Sequence, residues 1–242
     1  MTENIKSETV ETSVLPEQIL PYTNKIFIID KPLDFTSFDI VRIFKKKFNL
    51  KKAGHSGTLD PKATGLLIIC SDKMTKKINE FIEYDKEYEG VIRIGARTKS
   101  FDTESREEDI YENVNVSDEQ IESVRKSFLG EIEQMPPMFS AIKHNGKPLY
   151  KLARAGKDIE RKSRKILISE FEIKKISGTE LKFRISSSKG TYIRSVANDF
   201  GEKLGVGGYL KELRRTRVGK FDLSGLDREV KGIRFRITDD VI

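Results

Sequence analysis

No tryptophan occurs in this 242-residue chain, which holds one cysteine and two histidines. The single thiol, Cys70, excludes an intramolecular disulfide and suits a reducing compartment. One cysteine and two histidines cannot fill the usual His/Cys zinc shell, so no metal is expected. No run of eighteen apolar residues is present, which excludes a transmembrane helix. The N-terminus lacks a basic-then-apolar signal pattern, so a cytoplasmic location is expected.

What the chain has is charge. Charged residues make up 34% of it and the net is +7. Residues 1–24 carry net −3, which leaves +10 on residues 25–242. A basic globular body fits a polyanionic partner, because each phosphate it neutralises releases counterions. A merely basic, soluble surface is the plain alternative.

Polar, acidic and aperiodic, residues 1–24 read as a flexible tail. Folded sequence is expected from a short apolar strand, Lys25 to Asp30, stopped by Lys31-Pro32. Ser37 is the expected cap of a helix with Ile40, Val41, Ile43, Phe44 and Phe48 on one face. A glycine-rich loop from Gly54 to Gly65 runs into the apolar stretch Leu66–Cys70, where Cys70 reads as packing. A helix near 74–83, a strand over Tyr88–Gly95 and a polar loop over 96–116 follow. Ser117 and Gln120 form a capping box for a helix that Gly130 is expected to close. Beyond Pro136-Pro137 come a short helix around Leu149–Ala153, strands over 166–176 and 181–186, and helical spacing over Tyr192–Leu204. Helices and strands intermix without a βαβ rhythm, which favours α+β.

The loop Gly54-His55-Ser56-Gly57-Thr58-Leu59-Asp60-Pro61-Lys62-Ala63-Thr64-Gly65 is the most informative stretch. It sets one carboxylate between turn glycines and a proline, just before a buried strand. An Asp-Pro pair alone is also a common turn former.

This loop resembles the G-H-[ST]-G-T-L-D-P-x-A-T-G motif of TruB-type tRNA pseudouridine synthases. Six further stretches resemble that family in the same order. They are Lys31-Pro32, Asp85-Lys86-Glu87-Tyr88, Gly95-Ala96-Arg97-Thr98, Pro136 to Gly156, Gly190-Thr191-Tyr192-Ile193-Arg194-Ser195 and Leu213-Arg214-Arg215-Thr216. Lys62 and Ile68 depart from the family's usual apolar residue and proline, outside the Asp60 frame. The last motif stands about twenty residues before the chain's end. No full C-terminal RNA-binding domain is therefore expected, and 25–242 is read as one catalytic domain.

The resemblance implies a mixed, largely antiparallel central sheet with flanking helices and a basic insertion at about 136–165. It implies isomerisation of the uridine at tRNA position 55, in the T-loop, by base flipping and without a cofactor. Asp60 would be the nucleophile, attacking either the ring or the sugar carbon. Arg194 would orient Asp60 and keep it charged. Tyr88 would stack on the uracil and relay a proton. His55 would fill the stack that the flipped base vacates. Tyr192 would pack near the site, Lys31 would hold the site's backbone or an acid, and Lys76 would contact phosphate. Lys143, Lys147, Lys151 and Arg154 belong to the 139–165 segment of net +7, the expected RNA clamp. Arg214, Arg215, Arg217 and Lys220 form a second basic cluster, expected to face phosphate. The tRNA T-arm is the expected partner, with a monomer and no obligate protein partner.

Two rival readings remain in view. A tRNA-folding factor that binds without chemistry is opposed by the intact Asp60, Tyr88 and Arg194. A guide-RNA-dependent relative would carry a fuller C-terminal domain.

Overall fold

The computed structural model describes residues 22–239. Most of the expected tail, 1–21, lies outside the described residues. Residues 22–24 are already folded, because the Tyr22 ring packs on Phe48 at 4.2 Å between centroids and joins the core.

In chain order the first elements are β1 (Ile26–Lys31), α1 (Ser37–Lys47), β2 (Ala53–His55), β3 (Ala63–Ser71), α2 (Ile78–Glu83) and β4 (Lys86–Ile94). The two-residue strands β5 (Arg97–Thr98) and β6 (Glu107–Glu108) follow, then α3 (Asp118–Lys126) and β7 (Gly130–Gln134). The basic segment folds as a small hairpin, β8 (Lys143–His144) and β9 (Lys147–Pro148), capped by α4 (Leu149–Arg154). β10 (Arg164–Lys175), β11 (Glu180–Ser187), α5 (Ile193–Lys203) and β12 (Gly208–Val218) carry the chain back into the centre. It ends with β13 (Phe221–Asp222), β14 (Arg228–Val230) and β15 (Ile233–Thr238).

One sheet organises the molecule, in the order β14-β15-β1-β3-β12-β4-β11-β10-β7. Every pairing along it is antiparallel except β3 with β12. β1 and β3 are covered on both faces, which explains their unbroken apolar runs. Phe27, Ile29, Leu67 and Ile69 face the cluster under α1. Ile26, Ile28, Leu66, Ile68 and Cys70 face the opposite cluster, which contains Phe81 of α2. Burial pushes the Cys70 thiol up to about 12, so this sulfur is a small apolar packing group. The third cluster joins β4, β10 and β11 to α3 and α5 through Phe128, Phe171, Phe183 and Phe200.

Several local expectations are corrected. Thr36 caps α1, in a capping box with Asp39, while Ser37 is its first helical residue. The reason is tertiary: the Ser37 hydroxyl accepts from Leu59 N at 2.9 Å and donates to Leu59 O at 3.1 Å. α3 starts at the expected box but stops at Lys126, and Gly130 opens β7 instead of closing the helix. The helix near 74–83 is a 3₁₀ turn, Asp72–Lys77, followed by α2. Most consequential is β12, a central strand whose charged sequence hides it from periodicity. Its parallel contact with β3 pairs Arg215 with Gly65. A Cβ on Gly65 would sit 2.3 Å from the Arg215 carbonyl oxygen, and φ there is +101°, so only glycine fits.

Candidate active site

The Asp60 loop comes off β2, turns, and feeds β3. Asp60 opens a tight turn closed by Ala63 N to Asp60 O at 3.1 Å, with Pro61 fixing the backbone at the second position. The turn-forming role of Asp-Pro is therefore real, and its carboxylate has a second task. Arg194 Nε donates to Asp60 Oδ2 at 2.8 Å, and Arg194 Nη2 to Oδ1 at 3.3 Å. The Asp60 side chain is 33% exposed and that of Arg194 only 5%. The anion thus faces a cleft while its cation lies beneath it.

Arg194 sits in the first turn of α5, and the entry to that helix is tied down. Gln134 bonds Tyr192 in both directions, through Tyr192 N at 2.8 Å and Tyr192 O at 3.0 Å. Two further guanidinium protons go to Ser100 O at 3.0 Å and Phe139 O at 2.8 Å. Asp102, buried, places Oδ2 at 3.6 Å from Arg194 Nε. Burial raises the Asp102 carboxyl above its ordinary pKa, and Arg194 partly offsets this. One guanidinium therefore links two carboxylates. Sequence reading missed Asp102, which lies four residues past Thr98 in a stretch read as polar loop.

Asp60 lies on a cleft of about 810 Å³, within the range of ligand pockets, roughly 300–1,000 Å³. Tyr88, His55, Tyr192 and Arg154 share that lining with Asp60 and Arg194. Tyr88 is buried on β4. His55 is half-buried; burial lowers its pKa, a backbone hydrogen bond at Gly57 partly offsets this, and the Arg215 guanidinium adds to the lowering. The Arg164 guanidinium covers the Tyr192 ring at 4.5 Å. Arg154 is exposed, ion-paired with Glu104, and lies over the Tyr150 ring at 5.6 Å.

Lys31 holds backbone as expected, whereas Arg214 and Arg215 stand elsewhere than expected. Lys31 is fully buried, and its ammonium donates to Pro32 O at 2.9 Å and Phe35 O at 2.7 Å. Desolvation brings its pKa down to about 8. It holds backbone and does not reach solvent. Arg215 is 1% exposed and donates to Leu66 O at 2.7 Å, which bolts β12 to β3. Arg214 is engaged by both oxygens of Asp30, at 3.0 and 2.8 Å. Arg215 is thus an internal brace, since a buried guanidinium spends its protons on acceptors inside, while Arg214 is held by Asp30 with its side chain 39% exposed and Arg217 and Lys220 stay exposed. Lys76 is exposed on the 3₁₀ turn and is not part of the cleft lining. Lys143, Lys147 and Lys151 are exposed on the hairpin and α4.

The site thus holds a carboxylate fixed by a buried arginine on a cleft that a buried tyrosine also lines. The chain superposes on a chain in the crystal structure of a Cbf5-Nop10-Gar1 complex, with a TM-score of 0.65 and 33% identity over 84% of this chain. It spans about half the length of that solved chain, 51%. The family model for the TruB family pseudouridylate synthase N-terminal domain matches residues 45–193, and that for the tRNA pseudouridylate synthase B C-terminal domain matches residues 194–229. The chain belongs to the TruB family. Among relatives named tRNA pseudouridine synthase B, that of Chloroherpeton thalassium is 51% identical over 205 residues, covering 83% of this chain and 85% of the relative. That of Flavobacterium johnsoniae is 47% identical over 218 residues, covering 86% and 93%. No helix among the described residues is long and apolar enough to cross a membrane.

Proposed function

We propose that this chain isomerises the uridine at position 55 of tRNA, in the T-loop, to pseudouridine, with Asp60 as the nucleophile. The observation that carries the reading is the Asp60–Arg194 pair, a carboxylate open to the cleft on a buried guanidinium. The reaction is an isomerisation. The N1–C1′ bond of the nucleotide breaks, a C5–C1′ bond forms, and the C5 proton leaves while N1 gains one. Asp60 attacks the ring or the sugar carbon, Arg194 orients it, and Tyr88 stacks on the uracil within reach of that proton. His55, at the end of β2, fills the place of the extruded base. The 25–242 unit works as a monomer in the cytoplasm, without an obligate protein partner.

The guide-RNA-dependent reading is weaker. Identity to relatives named for tRNA reaches 51%, against 33% to Cbf5. Incubating the pure protein with an unmodified tRNA transcript, then mapping pseudouridine by site, is the direct test. Conversion at position 55 is expected. Conversion only elsewhere, or none, overturns the reading.

The basic hairpin is the proposed clamp on RNA phosphates. None of Lys143, Lys147 and Lys151 is ion-paired among the described residues, so their charge is available to a ligand. Replacing all three by glutamine should flatten the slope of log affinity against log salt by about two to three. A titration of tRNA binding from low to high salt reads this directly. An unchanged slope would make the hairpin an ordinary solvated loop.

A further inference from the structure

Three large apolar side chains stand in solvent within six residues of one another beside the cleft. Leu33 is 50% exposed, Phe35 37% and Phe38 63%. Single exposed apolar residues need no explanation, but a cluster on the rim of a site does. Phe38 itself is part of the cleft lining. The Arg42 guanidinium, one helical turn along α1, lies 5.9 Å from its ring centroid and is held there by Asp39.

The backbone beneath this cluster is fastened to the catalytic loop at several points. Ser37, next to Phe38, exchanges two hydrogen bonds with Leu59, next to Asp60. Asp34 N donates to Pro61 O at 2.8 Å, and Lys62 pairs with the Asp34 carboxylate at 2.7 Å. Lys31 clasps the Pro32 and Phe35 carbonyls from below. The Phe38 ring is therefore held in fixed register with Asp60 while remaining open to water. Packing does not require that exposure.

We propose that the first turn of α1 is a stacking platform for an unpaired nucleobase of the RNA substrate, one adjacent to the flipped uridine. Phe38 presents the ring and Arg42 supports it. The inference rests on the RNA-modifying reading above and adds to it a positioning residue outside the seven sequence motifs. The occupant follows from chemistry: an exposed ring paired with a cation, in a basic cleft, complements a flat π-face attached to a phosphate chain. Removing an aromatic ring that stacks on a base weakens binding by about five- to thirtyfold at the lower end of the usual range.

The test uses the full chain and a T-arm stem-loop RNA in which 2-aminopurine replaces, in turn, each unpaired base flanking the target uridine. Binding to the parent protein should quench one of these probes. Phe38→Ala should abolish that quenching and raise KM about five- to thirtyfold, with kcat within about twofold, since a base held equally in ground and transition states affects binding alone. Phe38→Tyr should restore both readouts, and Arg42→Ala should give an intermediate loss. Because Phe38 is exposed, circular dichroism of the alanine variant should match the parent. Unchanged KM and unchanged quenching in Phe38→Ala would overturn the platform. A fall in kcat without a change in KM would overturn it as well. Failure of the parent to modify unmodified tRNA would instead count against the functional reading.

Discussion

Asp60→Asn should make no pseudouridine yet bind tRNA within about tenfold of the parent, or 1.4 kcal/mol. The carboxamide is nearly isosteric with the carboxylate, so the turn through Pro61 can persist. It presents one carbonyl oxygen to Arg194 in place of two anionic ones, and it is a far poorer nucleophile. On the proposed reading, affinity would come instead from the exposed lysines of the hairpin and from aromatic stacking. A negative charge among phosphates opposes binding if anything. A single-turnover assay read beside a filter-binding titration separates the two effects. Modification persisting in the variant would remove Asp60 as nucleophile. Loss of binding with folding intact would mean that Asp60 shapes the RNA site itself.

The two sides of that experiment differ in how far the sequence exposes them. Asp60, His55 and the glycines around them lie within a dozen residues, so their chemistry is written contiguously and resembles a known motif. Arg194 was legible only through such a resemblance, since it meets Asp60 across 134 positions of chain. Asp102 was not legible. Its role exists only because Arg194, 92 residues later, arrives beside it with one edge of its guanidinium. A lone aspartate in a polar loop carries no local sign of that meeting.

Charge misled in a related way. Arg214 and Arg215 read as phosphate-facing because cations usually lie at the surface. Whether a guanidinium can be buried depends on acceptors supplied by other strands. Arg215 has the Leu66 carbonyl, and Arg214 has Asp30 on β1. Neither acceptor is near it in sequence. The same pairing conceals β12, which alternates too weakly to announce a strand but is central because β3 and β4 flank it. Where burial is on both faces and apolar, as in β1 and β3, the sequence alone is enough. The Thr36 cap was displaced in the reading by Ser37 for a similar reason. Both residue types suit an N-cap, and only the Leu59 backbone shows that the Ser37 hydroxyl is committed elsewhere.

Arg194→Lys should lower turnover at least tenfold, which corresponds to 1.4 kcal/mol of transition-state stabilisation, with KM for tRNA little changed. The charge is kept, so a loss isolates geometry. The guanidinium sends Nε and Nη2 to Asp60, Nη1 to Ser100 O and Nη2 also to Phe139 O. A lysine ammonium gathers its three protons at one nitrogen and cannot occupy those three positions together. If it stays with Asp60, the Ser100 and Phe139 carbonyls lose their donor, at about 1–3 kcal/mol for each buried group left unsatisfied. If it follows the carbonyls, Asp60 is free to swing, and a displacement of about 1 Å at a reacting group can cost roughly a hundredfold in rate. Asp102, drawn to the same cation, adds a competing anion. Both alternatives reduce kcat, and the first also lowers the urea midpoint with an unchanged m-value. Single-turnover rates and a urea titration on the same preparation distinguish them. Near-normal turnover in Arg194→Lys would show that fork geometry is dispensable and would take Arg194 out of the catalytic pair.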